Sequence, residues 1–221
     1  MASFKPNDFR NTIPNTTSKS VLLFLYKVLN GINLNNYDFE IGDRESLLTN
    51  NIIVPYLNHK ANEDNFQFTF NSNPGNKMNQ SNVDIGVVTF SNYKIIFTIE
   101  CKRLPTPKGS NRCEKEYVCG KLGGIERFKR NTHGVDIYGN PIKINAMLGY
   151  IEMEDFEYWF EKINKWIEEK AQQENSELIW TNNDKLRKKE FNKIAISYSS
   201  HKRIDLSNLK LYHFWIKLCD N

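Results

Sequence analysis

Two stretches rich in β-branched and aromatic residues, residues 83–90 and 94–101, stand on either side of Ser91-Asn92. Apolar runs of this length with a short polar break between them are typical of two antiparallel strands joined by a tight turn. This hairpin constrains the fold more than any other feature of the sequence, because the chain must then contain a sheet whose apolar side chains are covered by other elements.

Hydrophobic periodicity indicates further helices and strands on both sides of the hairpin. Pro55 is expected to kink or end one of these helices, because proline lacks the N–H that the helix needs. The predicted helices cover residues 21–29, 44–56, 114–130 and 154–170, and the further strands cover residues 66–70, 144–151, 193–199 and 209–218. The order predicts an α/β fold with a mixed central sheet flanked by helices, ending in a C-terminal helix and strand pair.

The length of 221 residues, with 25 % charged and 39 % hydrophobic residues, predicts a single globular domain over residues 1–221. This composition excludes a disordered or collagen-like chain. Residues 1–16 are polar and predict a loosely held lead-in. The apolar run over residues 21–26 is too short to span a membrane and lacks the cleavage site of a signal peptide, so no membrane partner is expected.

Positive charge is concentrated in two segments, although the formal net charge is only +4. Residues 102–130 carry nine basic and three acidic side chains, and residues 184–203 carry seven and two. A net-acidic body with two basic segments is typical of a protein that binds a polyanion such as nucleic acid. The alternative is that these lysines and arginines are solvated side chains on surface helices.

Cysteine usage indicates a reducing compartment. The four cysteines lack C-x-x-C spacing, which predicts free thiols in a cytoplasmic protein rather than a disulfide framework. A zinc site formed by Cys113, Cys119 and His133 is a minor alternative.

Acidic and basic residues stand at the ends of the predicted hairpin. Asp84 opens its first strand, and Glu100-Cys101-Lys102 closes the second. A second Glu-x-Lys triplet, Glu168-Glu169-Lys170, lies on the amphipathic helix and is interpreted as part of its solvated face. The first triplet differs because its strand is paired with the one that Asp84 begins.

The register of the hairpin decides whether the two carboxylates meet. Side chains alternate along a strand, so Glu100 and Lys102 share a face. Asp84 pairs directly opposite Glu100 if the chain turns through the three residues Ser91-Asn92-Tyr93. A two-residue turn at Ser91-Asn92 puts the carboxylates on opposite faces unless a β-bulge intervenes. The catalytic interpretation therefore requires a specific register.

Two adjacent carboxylates repel each other, and a bound Mg²⁺ removes that cost while retaining waters and accepting phosphate oxygens. The backbone carbonyl of Cys101 is a further candidate ligand. Lys102 can orient or help to deprotonate an attacking water and stabilise the charge that develops on phosphorus. Glu45, predicted in the first turn of a helix, is either a further carboxylate of this site or an acid favoured by the helix N-terminus.

At these residues the sequence resembles the PD-(D/E)XK phosphodiesterase superfamily, over roughly residues 40–152. The resemblance implies the restriction-endonuclease-like αβββαβ core, with residues 153–221 as a C-terminal elaboration. It also implies Asp84 and Glu100 as Mg²⁺ ligands, with Mn²⁺ as a substitute, Lys102 as the catalytic lysine and Glu45 as the helix acid. The family's proline before the aspartate is Val83 here.

Five basic residues are candidates for nucleic-acid contacts. In the resembled fold the helix after the motif packs beside the active site and can face the phosphate backbone. Lys129, Arg130 and His133 can equally be solvated charge at its C-terminal end. Ser199 and His201 are interpreted as peripheral phosphate contacts, because no acidic residue stands at a spacing that suggests a Ser-His-Asp arrangement. The candidates are Lys121, Arg127, Lys129, Arg130 and Arg203.

The leading hypothesis is a Mg²⁺-dependent nuclease that hydrolyses phosphodiester bonds, acts on DNA and belongs to a prokaryotic restriction or anti-phage defence system. One alternative is a non-catalytic nucleic-acid-binding subunit of a larger complex. Another is a protein-interaction or inhibitor module that uses the acidic helix over residues 152–170. Double-strand cleavage commonly needs two active sites, which is compatible with a homodimer or a partner subunit.

Overall fold

The computed structural model describes residues 16–34, 37–40, 44–74, 83–90, 93–109, 112–120, 122–173 and 176–218. Within these ranges the chain forms one seven-stranded mixed sheet in the order β1-β2-β3-β4-β7-β6-β5, with helices on both faces. The strands are β1 (Phe68–Ser72), β2 (Ile85–Thr89), β3 (Ile95–Leu104), β4 (Ile144–Ile151), β5 (Arg187–Phe191), β6 (Ile194–Lys202) and β7 (Asn208–Lys217). The predicted α/β class with a mixed sheet is confirmed.

The helices divide between the two faces of the sheet. One face is covered by the N-terminal helices and packs an aliphatic core around Ile99 and Phe214. The opposite face is covered by later helices and packs an aromatic core around Trp215. The helices are α1 (Thr16–Gly31), α2 (Glu45–Leu47), a π-helical segment (Leu48–Ile53), α3 (Val54–Glu63), α4 (Gly124–Lys129) and α5 (Phe156–Ala171).

The helix that contains Pro55 continues, although it was expected to kink or end there. Pro55 lies in the first turn of α3, directly after the π-helical segment. A proline within a regular α-helix clashes with the carbonyl four residues earlier, and the wider π turn before it gives the ring room. The helical path therefore runs from Glu45 to Glu63 in three joined segments.

Two other predictions differ from the structure. Residues 114–130 were predicted to be helical, but only α4 at their end is, because Gly120, Gly123 and Gly124 favour turns before it. β5 was not predicted, since its sequence RKKEF has no apolar alternation. β5 is an edge strand, where charged side chains replace the alternating pattern of a buried strand.

The strand pairing sets the position of the candidate site. β1, β2 and β3 are antiparallel neighbours, whereas β3, β4 and β7 run parallel. β3 continues for five residues beyond Ile99, which is the last residue that pairs with β2. Among the described residues, one edge of β3 therefore has no strand partner from Glu100 onward, while its other edge pairs with β4 as far as Leu104.

No helix in the described ranges is both long and apolar enough to cross a membrane. The predicted lead-in over residues 1–16 lies outside the described residues except for its last residue, which begins α1.

Candidate active site at the end of β3

A β-bulge sets the register between β2 and β3. Val88 pairs with Ile95, whereas Val87 pairs with Phe97, so one extra residue is accommodated in β3. Beyond the bulge Ile85 lies opposite Ile99, and continuing this register by one residue places Asp84 opposite Glu100. The register that the catalytic interpretation requires is therefore present, and it arises from the bulge; Ser91-Asn92 lies outside the described residues.

Two carboxylates cap the unpaired edge of β3. The N–H of Cys101 donates to Asp84 Oδ2 at 2.7 Å, and the N–H of Arg103 donates to Glu45 Oε2 at 2.9 Å. The N–H and C=O of one residue in an antiparallel pair point to the same neighbour, so the carbonyl of Cys101 also faces this edge. The structure thus brings Asp84, Glu45 and the Cys101 carbonyl to one side of β3.

Lys102 is buried between carboxylates. Its Nζ lies 2.7 Å from Glu100 Oε1 and 3.7 Å from Glu45 Oε1, and the residue is 5 % exposed. Burial alone lowers the pKa of a lysine, but Glu100, Glu45 and Asp84 outweigh it and raise the pKa of Lys102 above its ordinary value. Lys102 is therefore a fixed cation at neutral pH.

Glu100 has two further neighbours, an arginine and a histidine. Arg127 on α4 donates from Nη1 to Glu100 Oε1 at 3.1 Å, and His133 Nε2 lies 3.0 Å from Glu100 Oε2. Burial opposes ionisation of Glu100, but Lys102 and His133 outweigh it and lower the pKa of the carboxyl. Glu100 is therefore ionised across the physiological range, and His133, interpreted from sequence as a candidate for solvated charge, is a buried member of this site.

The pKa values of the other two carboxyl groups, those of Asp84 and Glu45, are shifted upward. Burial and the charge of Glu100 raise the pKa of Asp84 well above its ordinary value. Burial also raises the pKa of Glu45, although Lys102 opposes it. Ionisation of Asp84 and Glu45 is thus disfavoured beside Glu100, and a proton or a bound cation would relieve the repulsion between these carboxylates.

The donor set is compatible with a hard cation that keeps most of its waters. Glu100 Oε2 is buried and has no hydrogen-bond partner among the described residues, and its contact with His133 Nε2 leaves it lone pairs. No three side chains of the His, Cys, Asp or Glu type within the described residues converge to hold a metal ion on their own. Two carboxylates with a backbone carbonyl and waters match the way Mg²⁺ is bound in proteins. Cys113 and Cys119, proposed with His133 for zinc, form no such group either.

The five basic candidates lie in different environments. Arg127 reaches Glu100 and keeps 24 % of its side chain exposed, and Arg130 lies at the surface between Glu126 and Glu177. Lys129 is fully buried, with its Nζ 2.6 Å from Asp184 Oδ1, and Arg203 is 1 % exposed. Lys129 and Arg203, buried with these partners, have no access to a phosphate backbone. Lys121 lies outside the described residues.

Arg203 holds the loop between α4 and β4. Its guanidinium donates to Asn131 Oδ1 and to four backbone carbonyls in that loop and at its ends, those of Phe128, His133, Gly134 and Ile142. This loop carries His133, which contacts Glu100. Arg203 is therefore a structural residue that positions part of the candidate site.

Replacing Arg203 by Ala is expected to lower the free energy of unfolding by about 2–4 kcal/mol, because several buried carbonyls lose their donor. Urea unfolding measures the change, and the matched variant Arg187→Ala, at an exposed position of β5, should change stability by less than about 0.5 kcal/mol. Equal stability of the two variants would contradict the role assigned to Arg203.

A chain of buried hydrogen bonds crosses the face of the sheet that packs the aromatic core around Trp215. Asp184 Oδ1 lies 2.5 Å from His201 Nδ1, His201 Nε2 lies 2.6 Å from Ser199 Oγ, and Ser199 Oγ lies 2.8 Å from His213 Nε2. His213 Nδ1 continues the chain to the Tyr117 hydroxyl at 2.9 Å. From the sequence, a Ser-His-Asp arrangement was rejected because no acidic residue stood at a suitable spacing. In the structure Asp184, 17 residues before His201, occupies the acidic position of such an arrangement.

Ser199 is held between two histidines and is 1 % exposed, so its hydroxyl is not accessible to a substrate. Ser199 and His201 are also buried too deeply for the peripheral phosphate contacts predicted for them. Burial opposes ionisation of Asp184, but His201 and Lys129 outweigh it and lower its pKa to about 2. The chain is therefore a structural polar network around an ionised aspartate.

Neutral His213 is expected to make the protein sensitive to acid. Burial and the neighbouring His201 hold the pKa of His213 well below its ordinary value, so the unfolded chain binds a proton that the folded chain rejects. His213 therefore leaves the free energy of unfolding unchanged above about pH 6.5 and lowers it by about 1.4 kcal/mol per pH unit as the pH falls toward the depressed pKa. His213→Gln should reduce this slope in urea unfolding between pH 7.5 and 5, whereas the exposed control His59→Gln should not. An unchanged slope in His213→Gln would show that His213 is protonated in the folded state.

The chain matches no protein-family model, no curated protein and no solved structure. The geometry of the site and the motif in the sequence are therefore the basis for inferring a function.

Proposed function

We propose that this protein is a metal-dependent nuclease that hydrolyses phosphodiester bonds in DNA. The observation that carries the proposal is the convergence of Asp84, Glu100 and Lys102 at the end of β3, in the register that the β-bulge creates. A buried acidic pair with a lysine two residues after the second acid is a costly way to end a strand, and binding of a cation and a phosphate accounts for it.

The order of elements supports a restriction-endonuclease-like core. Helices α1 to α3 precede the antiparallel strands β1, β2 and β3, and α4 then leads into β4, which lies parallel to β3. This order is compatible with the αβββαβ arrangement that the resemblance to PD-(D/E)XK phosphodiesterases implies. Membership in that superfamily, a cytoplasmic location and a role in restriction or anti-phage defence are parts of the same proposal.

Asp84, Glu100 and the Cys101 carbonyl would hold the Mg²⁺ ion. The bound ion would supply Lewis-acid activation of the phosphate and lower the pKa of a water ligand. Glu45 holds the N–H of Arg103 and a contact with Lys102, and it therefore positions the lysine rather than contributing a further ligand.

Lys102 would stabilise negative charge at the phosphate. In the metal-free protein its raised pKa keeps the ammonium group protonated, so the group can donate hydrogen bonds to a phosphate oxygen or to the attacking water. Arg127, partly exposed beside Glu100, is placed to contact the phosphate from the side of α4. A buried cation at this position favours the transition state, in which the charge on the phosphate increases.

The test is incubation of the purified protein with supercoiled plasmid, linear duplex, single-stranded DNA and RNA, each with Mg²⁺ and with EDTA. Cleavage of DNA that requires Mg²⁺ supports the proposal. Salt-sensitive binding without cleavage would replace it with the non-catalytic binding subunit, and the absence of both would leave the protein-interaction module.

A further inference from the structure

The second basic segment of the sequence, residues 184–203, contributes no side chain to the cluster around Glu100. Lys185 and Lys188 form ion pairs with carboxylates of α5, and Arg203 is buried. The other cations that β5 and β6 carry all face one side of the sheet. They are Arg187, Lys189 and Lys202.

The register of the strands places these cations on the face that packs the aliphatic core. Tyr198 packs against that core, and Arg187 lies directly opposite it on β5. Side chains alternate along a strand, so Lys202, four residues after Tyr198, lies on the same face. On β7, Lys210 pairs with Ser200 and lies on this face as well. The basic surface is defined here as Arg187, Lys189, Tyr198, Lys202 and Lys210.

Two lysines of the basic surface lie against the ring of Tyr198. The distance from the ring centre is 4.6 Å to Lys210 Nζ and 5.3 Å to Lys189 Nζ. Lys210 Nζ also lies 5.3 Å from the centre of the Tyr212 ring. Cation–π contacts of this kind hold both ammonium groups over the sheet. The partly buried ring of Tyr198 is therefore occupied by cations and is not an open platform for stacking a base.

Carboxylates do not balance the charge of the basic surface. Within β5, β6 and β7, which the structure describes in full, the one acidic residue is Glu190, and it accepts hydrogen bonds from Tyr26 and Asn192. Helix α1, which packs on the same face, contains no acidic residue. Among the described residues, no carboxylate forms an ion pair with Arg187 or with the two lysines of β6 and β7.

The cations of the basic surface also repel one another. Burial lowers the pKa of Lys210, and the charges of Lys189 and Arg187 lower it further. Uncompensated cations this close together are stabilised when an anion binds over them.

The basic surface is separate from the candidate active site. Glu100 pairs with Met147, a residue of the aromatic core, and therefore lies on the opposite face of the sheet. Lys210 pairs with Ile144, three residues before Met147 on β4. The basic surface can therefore bind a ligand independently of the cluster around Glu100, and it does so whether or not the protein cleaves nucleic acid.

We propose that the basic surface binds the phosphate backbone of duplex DNA. Its cations span β5, β6 and β7, ~10 Å across the sheet, and one strand of a duplex presents about three phosphates over that length. Proteins that bind single strands stack bases on open aromatic rings, and this surface offers none. Contacts to phosphate alone predict binding that depends little on base sequence.

The experiment is fluorescence anisotropy with the full chain in EDTA, so that no metal bridges DNA to the candidate active site. The labelled probes are a short duplex DNA, the corresponding single strand and polyglutamate, each titrated between about 50 and 200 mM salt. The surface variant removes three positive charges by Arg187→Gln, Lys202→Gln and Lys210→Gln. The matched control removes the same charge outside the basic surface by Lys27→Gln, Lys165→Gln and Lys193→Gln.

The duplex is expected to bind the wild-type chain more tightly than the other two probes do. Loss of three phosphate contacts should make the plot of log affinity against log salt less steep by about 2.7 and weaken duplex binding on the order of tenfold or more. The control should change that slope by less than about 0.5.

The proposal is overturned if the duplex does not bind the wild-type chain, or if the control changes the slope as much as the surface variant does. It is also overturned if the single strand or polyglutamate binds as tightly as the duplex and loses as much affinity in the surface variant. Thermal unfolding shows whether each variant is folded. If the triple variant is not, the double variant Arg187→Gln and Lys202→Gln, at two exposed positions, should reduce the slope by about 1.8.

Discussion

Asp84→Asn is expected to reduce Mg²⁺-dependent cleavage by on the order of 10³-fold, since a metal ligand is worth several kcal/mol and about 1.4 kcal/mol corresponds to a factor of ten. The metal-free variant should be as stable as the wild type or more so, because burial and Glu100 already disfavour the ionised form of Asp84 in the folded protein and raise its pKa. Cleavage assays, urea unfolding and calorimetry with Mn²⁺ measure the three effects.

Lys102→Ala separates charge stabilisation from metal binding. It leaves both carboxylates in place, so Mn²⁺ binding should survive while cleavage falls by about 10²-fold or more. The matched controls are Glu168→Gln and Lys170→Ala in the second Glu-x-Lys triplet, which lies on α5, and both should cleave normally. Normal cleavage by Lys102→Ala or by Asp84→Asn would show that the end of β3 is not the catalytic site.

Glu100→Gln is expected to destabilise the metal-free protein by about 3 kcal/mol or more, because Lys102, Arg127 and His133 would lose the one carboxylate that all three contact. Urea unfolding in EDTA measures the loss. The opposite effects expected for Asp84→Asn and Glu100→Gln follow from the opposite directions of their pKa shifts.

The control for this variant is Glu168→Gln, whose side chain is about half exposed and pairs with Lys185. It should change stability by less than about 0.5 kcal/mol. A Glu100→Gln variant as stable as this control would contradict the charge balance assigned to the site.

The sequence predicted the parts of the fold that depend on local periodicity. β4 was predicted to the residue, and the amphipathic pattern of α5 gave its position within two residues. The hairpin and its possible bulge could also be predicted from the sequence, because side-chain alternation limits the registers that bring Asp84 to Glu100. The sequence could not predict which of these registers forms, because the bulge depends on packing between whole strands.

The remaining parts of the site depend on residues that are distant in sequence. His133 contacts Glu100 only because the loop before β4 folds back over β3, and Arg203, the residue after β6, holds that loop. Asp184 contacts His201 from the end of a short 3₁₀ helix (Asn182–Asp184) that no periodic pattern in the sequence predicts. From the sequence, Lys129 has the position of a solvated lysine at a helix end. Tertiary contacts, which the sequence does not reveal, bury it against Asp184.

The charged edge strand β5 limits how two copies of this protein could assemble. An exposed strand edge offers unpaired N–H and C=O groups to a second chain. Arg187 and Lys188 are exposed on β5, and two such edges aligned so that these residues face each other in an intermolecular sheet would bring like charges together. A dimer that cuts both strands of DNA is therefore expected to associate through another surface, with the sheets of its two copies kept separate.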